Sequence, residues 1–214
     1  MNADKPQQLS DKMFYRSHPW HGLSLGESAP EIVNCYIEMV PTDTVKYELD
    51  KETGLLKVDR PQKYSSLCPT LYGLLPQTYA GQLVANHCME KTGLQNILGD
   101  GDPLDICVLT EKVIPRGDIM LRTYPIGGFR LLDGDQADDK IIGVMVGDLV
   151  YGKYKDFHEC PESLIERLRH YFLTYKDSPE RKNSQVQITH LYGAQEARKI
   201  IGLSQQDYRS KFFL

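Results

Sequence analysis

The chain has 214 residues, 41% of them hydrophobic, and sets 25 Lys and Arg against 29 Asp and Glu for a formal net charge of −4. That length supports a single domain with a sizeable core, and the mild acidity argues against a general nucleic-acid or membrane-surface binder. No apolar run approaches the ~18 residues of a membrane span, and residues 1–12 carry no apolar leader core.

Residues 1–30 are rich in Pro, Ser, Gly and His and read as an N-terminal arm that crosses the surface and pins itself through Trp20. His18 and His21, separated by a proline in extended chain, are poorly spaced to share a metal. Residues 32–40 alternate, with Val33, Cys35, Ile37 and Met39 facing one way and Asn34, Tyr36 and Glu38 the other, as in a half-buried strand. Residues 45–49 alternate again and return through the Gly54 loop at 55–60, a hairpin. Residues 64–79, punctuated by Pro69, Gly73 and Pro76, read as loop. The inserted segment 74–98 reads as a loop or hairpin; its His87, Cys88 and Glu90 fall short of a four-ligand zinc site.

Strands are expected at about 105–110, 117–123, 126–132 and 140–146, joined by turns at Pro115, Gly117 and 125–128. Several short strands in succession without alternating helices imply a closed or nearly closed barrel. Helices follow it. Leu164, Ile165, Leu168, Phe172 and Tyr175 recur near 3.6 residues after Pro161, giving a helix over 161–177. A polar loop at 178–186, a short strand at 187–191 and a helix or broken helical pair over 194–213, interrupted near Gly202, complete the chain. The fold class is mainly β with flanking helices (α+β). The five cysteines (35, 68, 88, 107 and 160) are odd in number and lack a Cys-x-x-Cys pair, as for reduced thiols in a cytoplasmic protein.

Chemistry concentrates in two acidic loops. The first, Gly99-Asp100-Gly101-Asp102-Pro103-Leu104-Asp105, is shaped by Gly101 and Pro103. Its three carboxylates raise one another's pKa unless a cation sits among them, and hard divalent ions prefer such oxygen ligands. The second holds Asp133, Asp135, Asp138 and Asp139 just ahead of Lys140. If the two loops converge, they could seat two or more ions, the layout of two-metal hydrolysis. Lys46, Arg60, Lys140 and Lys176, with the hydroxyls of Tyr72 and Tyr175, suit a small, multiply charged phosphate substrate. The first loop is not an EF-hand, since Leu104 and Asp105 occupy its fifth and sixth positions. Phosphate-loop, dinucleotide, zinc-protease and serine-hydrolase motifs are all missing.

The six residues 100–105 match the Asp-x-Asp-Pro-x-Asp motif of soluble family I inorganic pyrophosphatases. Glu38, Lys46-Tyr47-Glu48, Asp59-Arg60, the Asp133/Asp138/Lys140 loop and Tyr175-Lys176 follow in matching order. The chain thus resembles that family from about residue 31 to 177, and the His18-Pro19-Trp20-His21 arm resembles its plant-type branch. The resemblance implies an OB-like five-stranded β-barrel and hydrolysis of pyrophosphate to two phosphates, with several Mg²⁺ ions per site. It casts Asp100, Asp105 and Asp138 as ligands of a first metal, Asp105 being shared with a second. Asp133 and Asp138 would hold a substrate-carried metal, with Glu38 as an outer-sphere acid. Asp102 would be the general base for a metal-bridging water. Lys46, Arg60, Lys140, Tyr175 and Lys176 would bind phosphate, with Glu48 and Tyr72 in support. The resemblance further implies a homo-oligomer, dimer or hexamer, with neither nucleic acid nor membrane as partner. Three departures stand out: Cys68 where most of the family has tyrosine, Gly134 where many have glutamate, and a longer segment between Tyr72 and Asp100.

Overall fold

The computed structural model describes residues 16–177 and 185–213. Its strands are β1 (Val33–Met39), β2 (Val45–Leu49), β3 (Leu56–Pro61), β4 (Leu71–Leu74), β5 (Leu98–Gly99), β6 (Asp105–Leu109), β7 (Ile119–Asp133), β8 (Gln136–Ala137), β9 (Lys140–Met145) and β10 (Val186–Gly193). Three α-helices accompany them: α1 (Gln82–Thr92), α2 (Glu162–Thr174) and α3 (Ala194–Phe212).

Five strands close a ring in the order β1-β4-β6-β9-β7, with β7 pairing back onto β1. Four of these pairings are antiparallel and β6–β9 is parallel. The ring matches the five-stranded closed architecture expected from the sequence, and closure leaves none of its strands an open edge. The hairpin β2–β3 forms its own small sheet, and β10 extends the main sheet by pairing with β7.

The apolar run of β6 is buried on both faces. Ile106 and Val108 join one core cluster with Val33, Ile37 and Ile141, while Cys107 and Leu109 join another with Ile142, Phe129 and Phe172. Strand β1 is likewise covered on both sides, not half-buried as its alternation implies. Tyr36 on its supposed outer face packs with Trp20, Leu49, Leu74 and Tyr208.

Further expectations need correction. Residues 117–123 and 126–132 are one 15-residue strand, β7. The Pro125–Gly128 signal marks a register shift inside it. Gly127 takes φ +157 there, and a side chain would come within 2.3 Å of the Tyr192 carbonyl, so the position is a bulge and not a turn. Within the presumed loop 64–79, residues 71–74 form β4. The inserted segment carries the helix α1, not a hairpin. Its own sequence offers no N-cap, with Gly81 in that position and no carboxylate in the first turn. The cap is tertiary: the Asp207 carboxylate on α3 accepts bonds from the amides of Gly81, Leu83 and Val84 at 3.0–3.1 Å. Helix α3 itself runs unbroken through Gly202. Most of the polar loop expected at 178–186, like residues 1–15 of the arm, lies outside the described residues.

Within the arm, Trp20 is buried and its indole donates to the Thr78 carbonyl at 2.7 Å. No helix among the described residues is long and apolar enough to cross a membrane.

Candidate active site

Both acidic loops end where a strand begins, the first at β6 and the second at β9. These strands are parallel neighbours, with Asp105 opposite Lys140, so both loops open at the same end of the ring. The hairpin β2–β3 stands over that end and brings Lys46 opposite Arg60. Strand β1 contributes Glu38 and β4 contributes Tyr72, while Tyr175 and Lys176 directly follow α2. The thirteen residues to which the resemblance gives a role all line one cavity of about 250 Å³: Glu38, Lys46, Glu48, Arg60, Tyr72, Asp100, Asp102, Asp105, Asp133, Asp138, Lys140, Tyr175 and Lys176.

The loop before β6 is fixed by its backbone. Ala80 donates to the Asp102 carbonyl at 2.8 Å, Gly101 to the Ala80 carbonyl at 3.1 Å, and Leu104 to the Thr78 hydroxyl at 2.9 Å. Asp100 accepts from the Asp102 amide at 2.9 Å. These bonds leave the Asp102 carboxylate facing the cavity, where it pairs with Lys51.

Ion pairs organise the rest. Lys140, 4% exposed, is bonded to both Asp105 and Asp138, and Lys176 pairs with Asp133. Asp59, behind the cavity wall, holds Arg60 at 2.5 Å and Lys46 at 3.3 Å, and these cations keep its carboxyl below the ordinary range against the opposing pull of burial. Arg60 also lies over the Tyr175 ring at 5.8 Å.

The wall holds the seven carboxylates Glu38, Glu48, Asp100, Asp102, Asp105, Asp133 and Asp138 against the five cations Lys46, Lys51, Arg60, Lys140 and Lys176. The excess shows in the titration of its members. Burial, reinforced by Asp105, pushes Glu38 up to about 8. Burial and the charge of Asp138 push Asp100 up to about 8 as well. Asp138 is raised by burial even beside Lys140. Among the described residues, no three His, Cys, Asp or Glu side chains are drawn around one point as a ready metal cage. The donors nevertheless fit hard divalent ions. They are all carboxylate oxygens, they outnumber the cations, and Asp105 and Asp138 already close around the positive charge of Lys140.

A pH prediction follows from the sign of these shifts. Glu38 and Asp100 titrate near 8 when folded, against ordinary values of 4.5 and 3.8, so the folded state binds more protons than the unfolded chain between those limits. Stability therefore falls as pH rises through that window. In chelator, the protein is expected to melt several degrees lower at pH 8.5 than at pH 5.5, and Glu38→Gln is expected to flatten the slope. Equal melting temperatures at the two pH values would show that both carboxyls ionise freely in the fold.

The sequence reading missed Lys51, Gln136, Tyr171 and Trp20, which also line the cavity. Lys51 could have been found by extending the hairpin by two residues past Leu49. The others depend on tertiary placement. Asp135 is exposed and contributes its carbonyl to the Leu98 amide at 2.9 Å; it is not among the lining residues.

A family model described as inorganic pyrophosphatase matches residues 35–209. The inorganic pyrophosphatase of Chlamydia trachomatis is 54% identical over 200 residues, which cover 92% of this chain and 96% of that protein. The soluble inorganic pyrophosphatase 2 of Chlamydomonas reinhardtii is 36% identical, covering 93% of this chain and 94% of its own. Among solved structures, the inorganic pyrophosphatase of Thermus thermophilus superposes with a TM-score of 0.75 at 26% identity, covering 91% of this chain and 99% of that one.

Proposed function

The chain belongs to the inorganic pyrophosphatase family, and from that membership we propose that it hydrolyses pyrophosphate to two phosphates with divalent cations, Mg²⁺ foremost, through proton abstraction by Asp102. What supports this reading is the meeting of both acidic loops with five cations in one cavity. Pyrophosphate is a compact polyanion with no carbon skeleton to recognise, so charge must supply nearly all of the binding and transition-state stabilisation. A wall with more carboxylates than cations repels such a substrate on its own. Divalent ions held by Asp100, Asp105, Asp133 and Asp138, with Glu38 beside them, would reverse that sign and lower the pKa of the attacking water.

The chain's own groups have separable roles. Arg60, braced by Asp59 and stacked over Tyr175, offers a planar fork to phosphate oxygens. Lys46, Lys140, Lys176 and the Tyr175 hydroxyl bind the remaining oxygens. Glu48, 3.8 Å from Lys46, and Tyr72 support them. As water attacks one phosphorus and the bond to the bridging oxygen breaks, Asp102 takes the water's proton, and the lysines neutralise the charge gathering on the departing phosphate.

Phosphate release from pyrophosphate tests the reaction directly. Release with Mg²⁺ that chelator abolishes is the expected result. No release by folded protein that still binds Mg²⁺ would leave a metal-binding barrel without turnover.

A further inference from the structure

Tyr171 is a third phenol of the cavity wall, beside Tyr72 and Tyr175. It lies on α2 one turn before Tyr175, with the two rings stacked at 5.3 Å and 28°. Phe172 meets it edge-on at 5.3 Å, so the ring is held on two sides and the residue is only 7% exposed. Its hydroxyl lies against the buried Cys68 thiol. A thiol is a weak hydrogen-bonding partner, far poorer than a phosphate oxygen. Burial raises the Tyr171 phenol well above its ordinary range, so the group keeps its proton and remains a donor at every pH the protein meets.

We propose that the Tyr171 hydroxyl donates a hydrogen bond to a phosphate oxygen of the bound substrate, next to that of Tyr175, making Tyr171 a substrate-binding residue; this rests on the pyrophosphatase reading. Cys68, small and packed against the ring in the same cluster, leaves the phenol its place at the wall. The hydroxyl missing at position 68 is thereby supplied from the facing helix.

Tyr171→Phe removes one oxygen and keeps the packed ring. It is expected to raise KM for pyrophosphate and the Kd for inorganic phosphate, both measured with Mg²⁺, by about 10-fold, the loss of one hydrogen bond to a charged group. The melting temperature should stay near that of the parent chain. Cys68→Ala deletes the thiol partner and should leave KM and Kd unchanged. Unchanged KM and Kd in Tyr171→Phe overturn the proposal, as does a Cys68→Ala effect equal to that of Tyr171→Phe, which would mean that the hydroxyl serves only the thiol. A parent chain that binds phosphate but releases none from pyrophosphate would defeat the enzymatic reading separately, while the phosphate Kd still decides the role of Tyr171.

Discussion

Asp102→Asn is expected to lower kcat for pyrophosphate by two to four orders of magnitude, the usual worth of a positioned general base, while Mg²⁺ and phosphate affinities stay within a few-fold. The other carboxylates of the cavity are poorly placed for the task. Glu38 and Asp100, pushed up to about 8 by burial, already hold a proton at neutral pH when no ion is bound, and both are candidate ion holders. Asp105 and Asp138 are tied to Lys140, and Asp133 to Lys176. Asp102 is 39% exposed at its side chain and engaged by Lys51, itself 47% exposed. A pair that open to solvent is readily exchanged and contributes little to stability. The loop survives the change because its fixing bonds run through the backbone of Asp102 and through Thr78 and Ala80. Asparagine keeps the shape and cannot take a proton. Turnover by the variant near that of the parent, measured as phosphate release alongside calorimetric Mg²⁺ binding, would remove Asp102 from the role of base.

The split between kcat and affinity matters because, on the proposed reading, one cavity serves both binding and chemistry. A residue that only attracts substrate shifts KM, whereas one acting in the transition state shifts kcat. On the proposed reading Arg60, held by Asp59, is expected to act chiefly on KM. Asp102, as the proposed base, is expected to act on kcat.

The parts legible in the sequence are those with local causes. The hairpin β2–β3 follows from strict alternation around a Gly-containing loop, and α2 from a 3.6-residue apolar stripe after a proline. The candidate site was legible because its carboxylates are packed into two short loops, and their convergence needed only the parallel pairing of β6 with β9. What stayed hidden has distant causes. Helix α1 starts where Asp207, more than a hundred residues away, caps its amides. Strand β7 carries Pro125 and Gly127 through a register shift, and Tyr192 and Phe157 leave no room for a side chain at 127, a contact with no trace in neighbouring residues. Tyr171 stands in no motif of the sequence. Its hydroxyl becomes visible only when Cys68 is brought against it.

Lys140→Met is expected to cost the metal-free protein about 3–5 kcal/mol of stability, the penalty for removing one partner of a buried charge cluster. For a chain of this size that is a fall of roughly 10 °C in melting temperature. Lys140 is 4% exposed and opens strand β9, where its ammonium joins Asp105 from the neighbouring strand to Asp138 from its own loop. Burial alone would lower its pKa, yet those two carboxylates hold it well above the ordinary range. Methionine preserves most of the stem, and what is lost is the ammonium, with its two carboxylate partners and its place 6.0 Å over the Phe172 ring, so the loss reports charge, not volume. Without the ammonium, Asp105 and Asp138 face each other in a desolvated pocket, and at least one must take up a proton. Two rescues should follow: acidification to pH 5, which supplies that proton, and millimolar Mg²⁺, which supplies the positive charge. Recovery in both would tie the stability of the ring's open end to the charge balance of the site. A variant that melts like the parent in chelator at pH 8 would mean that the carboxylate pair tolerates isolation and that Lys140 serves the substrate alone.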